Sequence, residues 1–475
     1  MNFTFKGIRK PYILSANIKH PVGHEDDVDY IQVRNRPGKI LRKRNIKTRL
    51  IPVEVWVDAT GFASLEHLEE DFSGWLWSEK EESLEFDGGA DRVLSAIAKV
   101  ISKPISYEYS AQINVLFECS DPYKYGTLKE AIFSNGAAVI NYLGTVENRP
   151  RFEFDVLSDI TYLDIISDDG YMRLGRPVEV GQTLVQKYER MLTDGLASLT
   201  GWTSAGTQVD GGTVAGSFAV NSGDLVVSSY GTGTAWHGPS IKKSVPNAPL
   251  NDFVVELNFK FPNSIRGRGR VECYLLDASS VVLAKFAMKR VGGGASGNVV
   301  EVRLGTQANG QFVVSDYGGT NGTAWREFEG IMRLTKESNL WTVYVAMVDP
   351  VTGRHHTRFT RTYRDASNQF ARSLAQVQLH AAQSGTIATP AFRLRDLTVD
   401  RINAVPDVSP AVIARAGDKV VVDHKRAEIL INGEDGKQHK SFGASWFPLE
   451  KGVNTLLVEP RDSVTGKVIY REAFR

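Results

Sequence analysis

The sequence predicts a mainly β protein. An α+β first part leads into a β-sandwich, and a second jelly-roll or sandwich module is inserted into that sandwich. Three observations carry this reading. The apolar period changes from three-and-four to two near residue 106. After about residue 185 the composition shifts to Gly, Ser, Thr, Val and Ala, with short strands recurring between turn residues. The strands between 106 and 166, and those after about 403, are each too few to bury a core. Joined, they make one sheet domain interrupted by a large insert. A turn such as Asp168-Asp169-Gly170 tolerates an insert whose own ends lie close together.

Taken in order, a run of eight Lys or Arg spans Arg34 to Arg49 without one acid. Leu65, Leu68, Phe72 and Trp75 follow at helical spacing. Val93, Leu94, Ile97, Val100 and Ile101 repeat that spacing and predict a second helix, stopped by Pro104. Acidic residues from Glu66 to Asp91 lie between them. Strands are expected at 106–119, 138–142, 152–156 and 161–166, then in a long series from Phe218 to Val399. A last set runs from Lys419 to Tyr470.

Bulk properties exclude several classes. The chain has 475 residues, 42% hydrophobic and 23% charged, with a formal net charge of +1. Such a balance selects neither nucleic acid nor a membrane surface. Two cysteines, Cys119 and Cys273, build no disulfide framework and suggest a reducing compartment. Met1 to Lys6 lacks an apolar core, so no secretory signal is expected. No apolar run approaches the ~20 residues of a membrane helix.

The segment Val115-Leu116-Phe117-Glu118-Cys119-Ser120-Asp121-Pro122-Tyr123-Lys124-Tyr125-Gly126 runs an alternating strand into an Asp-Pro turn. It resembles the strand-to-loop junction of the distal tail protein (Dit) family of siphophages. Phe3-Thr4-Phe5-Lys6-Gly7-Ile8, Phe72-Ser73-Gly74-Trp75-Leu76 and Asn141 to Pro150 are similar to that family's opening strand, helix and strand-turn-strand signature. Ile431-Asn432-Gly433, Phe447-Pro448-Leu449 and Gly452-Val453-Asn454 resemble its closing strands. Each motif is weak alone; their order along the chain is more specific.

The resemblance implies a ring-forming belt domain at 1–105. It implies a galectin-like sandwich at 106–170 plus 403–475. The insert, 171–402, with its lead-in Gly170 to Pro177, is similar to the carbohydrate-binding module of the longer family members. It further implies a homohexameric ring joining the tail tube protein to a tail-tip protein. Such a ring is assembled in the host cytoplasm and works at the tail tip of the virion. Galectin-like names a fold only.

Saccharides are recognised by flat aromatic platforms with hydroxyl, amide and imidazole groups nearby. Tyr230-Gly231-Thr232-Gly233-Thr234-Ala235-Trp236 recurs loosely as Tyr317 to Trp325. The candidate contacts are Trp236, His237 and Tyr230, then Trp325 and Tyr317. Each Trp has an alternative reading as a cap on the core. That reading is favoured for Trp325, which Phe328 and Ile331 follow; for Trp236 the two stand level. Trp341 alternates with valines and reads as core, as does Trp202.

No catalytic residue is assigned. The insert's acids show no pairing that periodicity justifies for glycoside hydrolysis. Adjacent His355 and His356 point to opposite faces of a strand and cannot share a metal. Gly292-Gly293-Gly294 reads as a flexible loop. No cofactor is expected, and a structural calcium stays unassigned. The basic run lacks interleaved aromatics, against base stacking; it reads either as a solvated hairpin or as a contact to a neighbouring subunit's acidic helix. Two alternatives remain: a cell-wall hydrolase with a jelly-roll domain, and a purely structural hub.

Overall fold

The computed structural model describes residues 2–19, 26–88, 91–179, 186–206, 209–262, 267–291, 297–316, 323–404 and 410–475. The chain opens with β1 (Phe3–Phe5), β2 (Ile13–Ile18), β3 (Asp26–Ile31), β4 (Ile40–Ile46), β5 (Arg49–Asp58), α1 (Leu65–Leu76), β6 (Glu82–Phe86), β7 (Val93–Ser106) and β8 (Ser110–Cys119). Ser64 caps α1, its hydroxyl accepting from His67 N at 3.4 Å. The predicted stripe buries Leu68, Phe72, Trp75 and Leu76. Trp75 stacks on Phe3 at 5.6 Å, and Phe117 meets Phe3 edge-on at 5.5 Å. These rings tie helix and sheet into the first core.

Residues 93–101 are strand, not the helix their spacing predicts. Leu94 and Ala96 turn inward while Val93, Ser95 and Ile97 are half-buried, which is period two. Four of the five spaced residues, all but Leu94, are β-branched, and such side chains favour the pleated state. Pairing with β6 and β8 completes the case. The next strand also differs from expectation. β8 pairs with β5 from Arg49↔Cys119 to Asp58↔Ser110, and its Ile113, Val115 and Phe117 fill the first core. That core therefore extends past residue 105 to Cys119. β3 and β4 pair with each other, and every β4 residue is exposed.

β9 (Lys124–Ile132), β10 (Ala137–Tyr142), β11 (Arg151–Val156), β12 (Tyr162–Ser167) and β13 (Gly170–Gly175) follow. Asp121 closes the turn into β9, accepting from Tyr123 N at 3.2 Å and Tyr125 OH at 2.7 Å. The Asp168-Asp169-Gly170 turn joins β12 to β13 as a hairpin, with Ile165 opposite Met172. Met172 and Leu174 lie in the second core. Residues 171–175, expected to begin the insert, are thus a strand of the host sheet, with alternate side chains pointing in.

The insert is a sandwich of two sheets, antiparallel except where β16 pairs with β19. Its strands are β14 (Tyr188–Asp194), β15 (Thr203–Ser204), β16 (Gly212–Val214), β17 (Ser217–Asn221), β18 (Asp224–Ser229), β19 (Trp236–Gly238), β20 (Ser240–Ser244), β21 (Phe253–Phe261), β22 (Gly269–Leu276), β23 (Val282–Arg290), β24 (Val299–Leu304), β25 (Gln311–Asp316), β26 (Phe328–Glu337), β27 (Leu340–Val348), β28 (His355–Arg364), β29 (Gln376–Ser384) and β30 (Arg393–Ile402). One sheet runs β17-β18-β30-β21-β26-β27-β28, with β14 beside β30. The other runs β15-β20-β29-β22-β23-β24-β25, with β19 beside β29 and β16 beside β19. Phe253, Phe259, Trp341, Leu379 and Leu397 pack between them.

β31 (Lys419–Asp423), β32 (Glu428–Ile431), β33 (Glu434–Asp435), β34 (Gly452–Glu459) and β35 (Val464–Phe474) close the chain. They return to the strands that precede the insert. β11 lies between β31 and β35, with Phe152 opposite both Val422 and Val468. β34 lies between β10 and β12. One core joins both stretches: Phe152, Phe154, Ile165 and Leu174 from before the insert, Val420, Val422, Leu456 and Val468 from after it. At the junction, a Cβ on Gly175 would stand 3.0 Å from Ile413, so the host strands flanking the insert converge. β9 pairs with β35 and touches β7 at Val93↔Tyr125, which continues the sheet between the first and second cores.

Candidate functional site

Strands β22, β23, β24 and β29 are buried on both faces. One face is apolar: Val271 and Cys273, Phe286 and Met288, Val300 and Val302, Val377 and Leu379. The other is charged. Register places Tyr274, Lys285 and Arg303 in one row, and His380, Glu272, Ala287 and Glu301 in the next. Buried charges are tolerated only when paired, and here they are. Lys285 Nζ stands 2.8 Å from Asp210, 3.2 Å from Glu272 and 2.9 Å from Glu301. Arg303 pairs with Asp210 and Lys289 with Glu301. Tyr274 OH donates to Glu272 at 2.8 Å and accepts from Asp210 N at 2.9 Å.

The electrostatics follow from that packing. Burial opposes the Lys285 charge, but three carboxylates outweigh it and raise its pKa. Burial pushes the Asp210 and Glu301 carboxyls up, but Arg303, Lys285 and Lys289 outweigh it and hold them below the usual range. Burial drives His380 down to about 4, so its ring is neutral, and its Nδ1–H donates to Pro239 O at 2.9 Å. A carboxylate held ionised by a lysine is poorly suited to general-acid work.

At one edge of this face stands Trp236. β19 pairs in parallel with β16 and antiparallel with β29, which presents the partly exposed indole over Arg270. The guanidinium carbon lies 5.0 Å from the ring centroid, a cation–π contact. A Cβ on Gly212 would fall 2.6 Å from Arg270 Nη2 and 2.8 Å from Trp236 O, so this approach requires glycine.

The other candidates are placed differently. His237 follows Trp236 but is buried, its Nδ1 2.9 Å from Ala235 O. Tyr230 is half-buried against the insert's core. Trp325 is 2% exposed, donates from Nε1 to Asp316 at 2.6 Å and packs on Phe328. It is a core residue, and its ring is closed to a ligand. Tyr317 and Gly292-Gly293-Gly294 lie outside the described residues. Trp202 packs against the same core and donates to Asp194 at 2.9 Å.

Sequence reasoning missed Arg270, Glu272, Lys285, Glu301, Arg303 and His380. Their signal was present: charges at alternate positions inside otherwise apolar strands, as in Arg270-Val271-Glu272-Cys273-Tyr274. Among the described residues no group of three or more His, Cys, Asp or Glu is placed to hold a metal ion.

Residues 10–119 match the family model described as phage tail protein RIFT-related domain. Residues 399–474 match that of the siphovirus-type tail component, C-terminal domain. The chain carries two domains of siphophage tail proteins, the second of them of the distal tail type. It is a mainly β component of the phage tail that carries an insert between those matches. No curated protein matches it. Similar solved structures include the CBM2 module of the evolved Dit of Lactobacillus casei BL23 phage J-1. That module shares 15% identity at a TM-score of 0.40, over 47% of this chain and 100% of that one. The SPP1 Dit protein shares 13% identity at 0.33, over 37% and 74%. SCLam, a non-specific endo-β-1,3(4)-glucanase of family GH16, shares 12% identity at 0.30, over 48% and 96%.

Proposed function

We propose that this distal tail protein is a homohexameric hub joining the tail tube protein to a tail-tip protein, and that its insert binds host cell-wall saccharide. The reading divides the chain into a belt to about residue 119, a galectin-like sandwich resumed after about 403, and the insert between β13 and β31. The observation that carries saccharide binding is the partly exposed Trp236 ring held over Arg270 beside a polar sheet face. A flat ring fixed from behind loses little entropy when a sugar stacks on it. His237 and Tyr230 support the strand and loop that present it. Several copies on one ring raise avidity without any new contact.

Ring formation is supported by the β3–β4 hairpin. A two-stranded hairpin is marginal alone, and this one exposes Tyr30, Ile31, Ile40 and Leu41 among its basic residues. Arg42 and Arg44 pair within it, to Asp29 and Asp26. The exposed Glu70 of α1 offers a complementary charge on a neighbouring copy, and such contacts close rings. Arg42→Glu and Glu70→Lys, singly and together, should change oligomer size by light scattering; unchanged size counts against this interface.

For saccharide binding, full-length protein is sedimented with purified host cell walls. The wild type should co-sediment without releasing reducing sugar, and Trp236→Ala should bind roughly tenfold less, the loss of about one stacking contact. Release of sugar would favour a hydrolase. Failure of the wild type to bind would favour a purely structural hub.

A further inference from the structure

A cleft of about 760 Å³ opens between the insert and the host sandwich. It lies on the sheet opposite the one that carries Trp236. One wall is the outward face of β14, β21, β26 and β30, and the other is the segment around β32, β33 and the turn Lys437–His439.

The charged groups lining it already have partners. Arg333 is held by Glu256 at 2.6 Å and by Glu434 at 2.8 Å. Arg190 and Arg415 share Asp400 at 2.6 and 3.0 Å. Asp418 accepts from Arg415 N at 2.7 Å and from Asn432 at 2.8 Å. Asp435 faces Arg358 at 3.7 Å. Burial keeps the His355 and His439 imidazoles below their ordinary pKa, hence neutral at pH 7. Among the described residues an anion therefore meets no uncommitted cation, and a cation meets carboxylates already engaged.

What remains is neutral hydrogen-bonding capacity. Tyr188 and Thr398 bring hydroxyls, Gln438 an amide, His439 its imidazole and His355 its Nε2, its Nδ1 lying 3.0 Å from Tyr344 OH. Asn258 also lines the cleft, and its buried Oδ1 has no hydrogen-bond partner among the described residues. A polar cleft of this volume between two domains is a usual place for a small ligand. Matching donors and acceptors without net charge is the chemistry of a polyol.

We propose that this cleft is a second ligand site, taking a short neutral oligosaccharide. A ligand touching both walls also stabilises the angle between insert and hub, because it binds only the docked arrangement. The proposal stands independently of Trp236.

The test is hydrogen–deuterium exchange and calorimetric titration of the full-length protein with maltotriose, cellotriose and chitotriose at millimolar concentration. Spermidine and glycerol phosphate serve as charged comparators. At least one neutral trisaccharide should protect residues 254–258, 396–400 and 431–439. Thr398→Val or His439→Phe should weaken that binding at least tenfold, while Trp236→Ala leaves it unchanged. Stronger protection by a charged probe, or none by any neutral one, overturns the proposal. Loss of all protection in Trp236→Ala also overturns it, since the sugar would then occupy the other face. Cell-wall sedimentation of Trp236→Ala separately reports on the first site.

Discussion

Phe152 sits in a row with Val422 on one side and Val468 on the other, all three fully buried. Phe152 precedes the insert and both valines follow it. Phe152→Ala removes a buried ring and should cost about 3–5 kcal/mol. Val468→Ala removes two methyl groups, about 1.5 kcal/mol of transfer plus a small cavity, so roughly 2 kcal/mol. Because the two side chains touch across one strand pair, the double mutant should depart from additivity by about 0.5–3 kcal/mol. The assay is native-state hydrogen exchange of the β11 amides, which reports the opening free energy of that strand. Val468→Ala should lower protection in β11 as surely as Phe152→Ala does. Unchanged β11 protection in Val468→Ala, with additivity within about 0.3 kcal/mol, would refute the shared sheet.

Other outcomes follow from single features. Tyr142 OH donates to Val146 O at 2.7 Å and accepts from Ala473 N at 2.8 Å, so Tyr142→Phe should cost about 1–3 kcal/mol in urea unfolding. Gly433 has φ +82°, and a Cβ there would lie 1.8 Å from Gly353 O in the insert. Gly433→Ala should therefore loosen the joint where Gly433 O accepts from His355 N at 3.0 Å, seen as faster proteolysis between insert and host. Burial drives both His380 and His424 down to about 4 from an ordinary value near 6.5. The unfolded chain binds more protons between those values, so stability is full above about pH 6.5 and falls as pH drops toward 4. His424→Gln should flatten the part of that melting-temperature profile due to the host sandwich; an unaltered profile would show that His424 is not its source.

Much of this architecture is legible in the sequence, for physical reasons. The α1 stripe is unambiguous because Leu68, Phe72 and Trp75 repeat at helical spacing behind a serine cap. The interrupted sandwich is legible because neither flank alone supplies enough apolar strand to bury a core. Residues 93–101 mislead because a short aliphatic run satisfies both periods, and pairing with β6 and β8 decides it. The role of 171–175 was hidden because an Asp-Gly turn serves equally as a hairpin and as an exit to an insert. At the candidate site, Trp236 was legible as an aromatic at a loop end. Arg270 beneath it was not, because the contact joins strands distant in sequence. Trp325 shows the converse: the same local motif, closed in the core by Asp316 and Phe328.

The most direct measurement replaces residues 177–411 with a short Gly-Ser linker, joining strands that already meet at Gly175 and Ile413. The account predicts a folded, β-rich protein whose β11 amides stay protected and whose oligomer matches that of the full chain. An unfolded product, or flanking halves that fold separately with β11 unprotected, would contradict it.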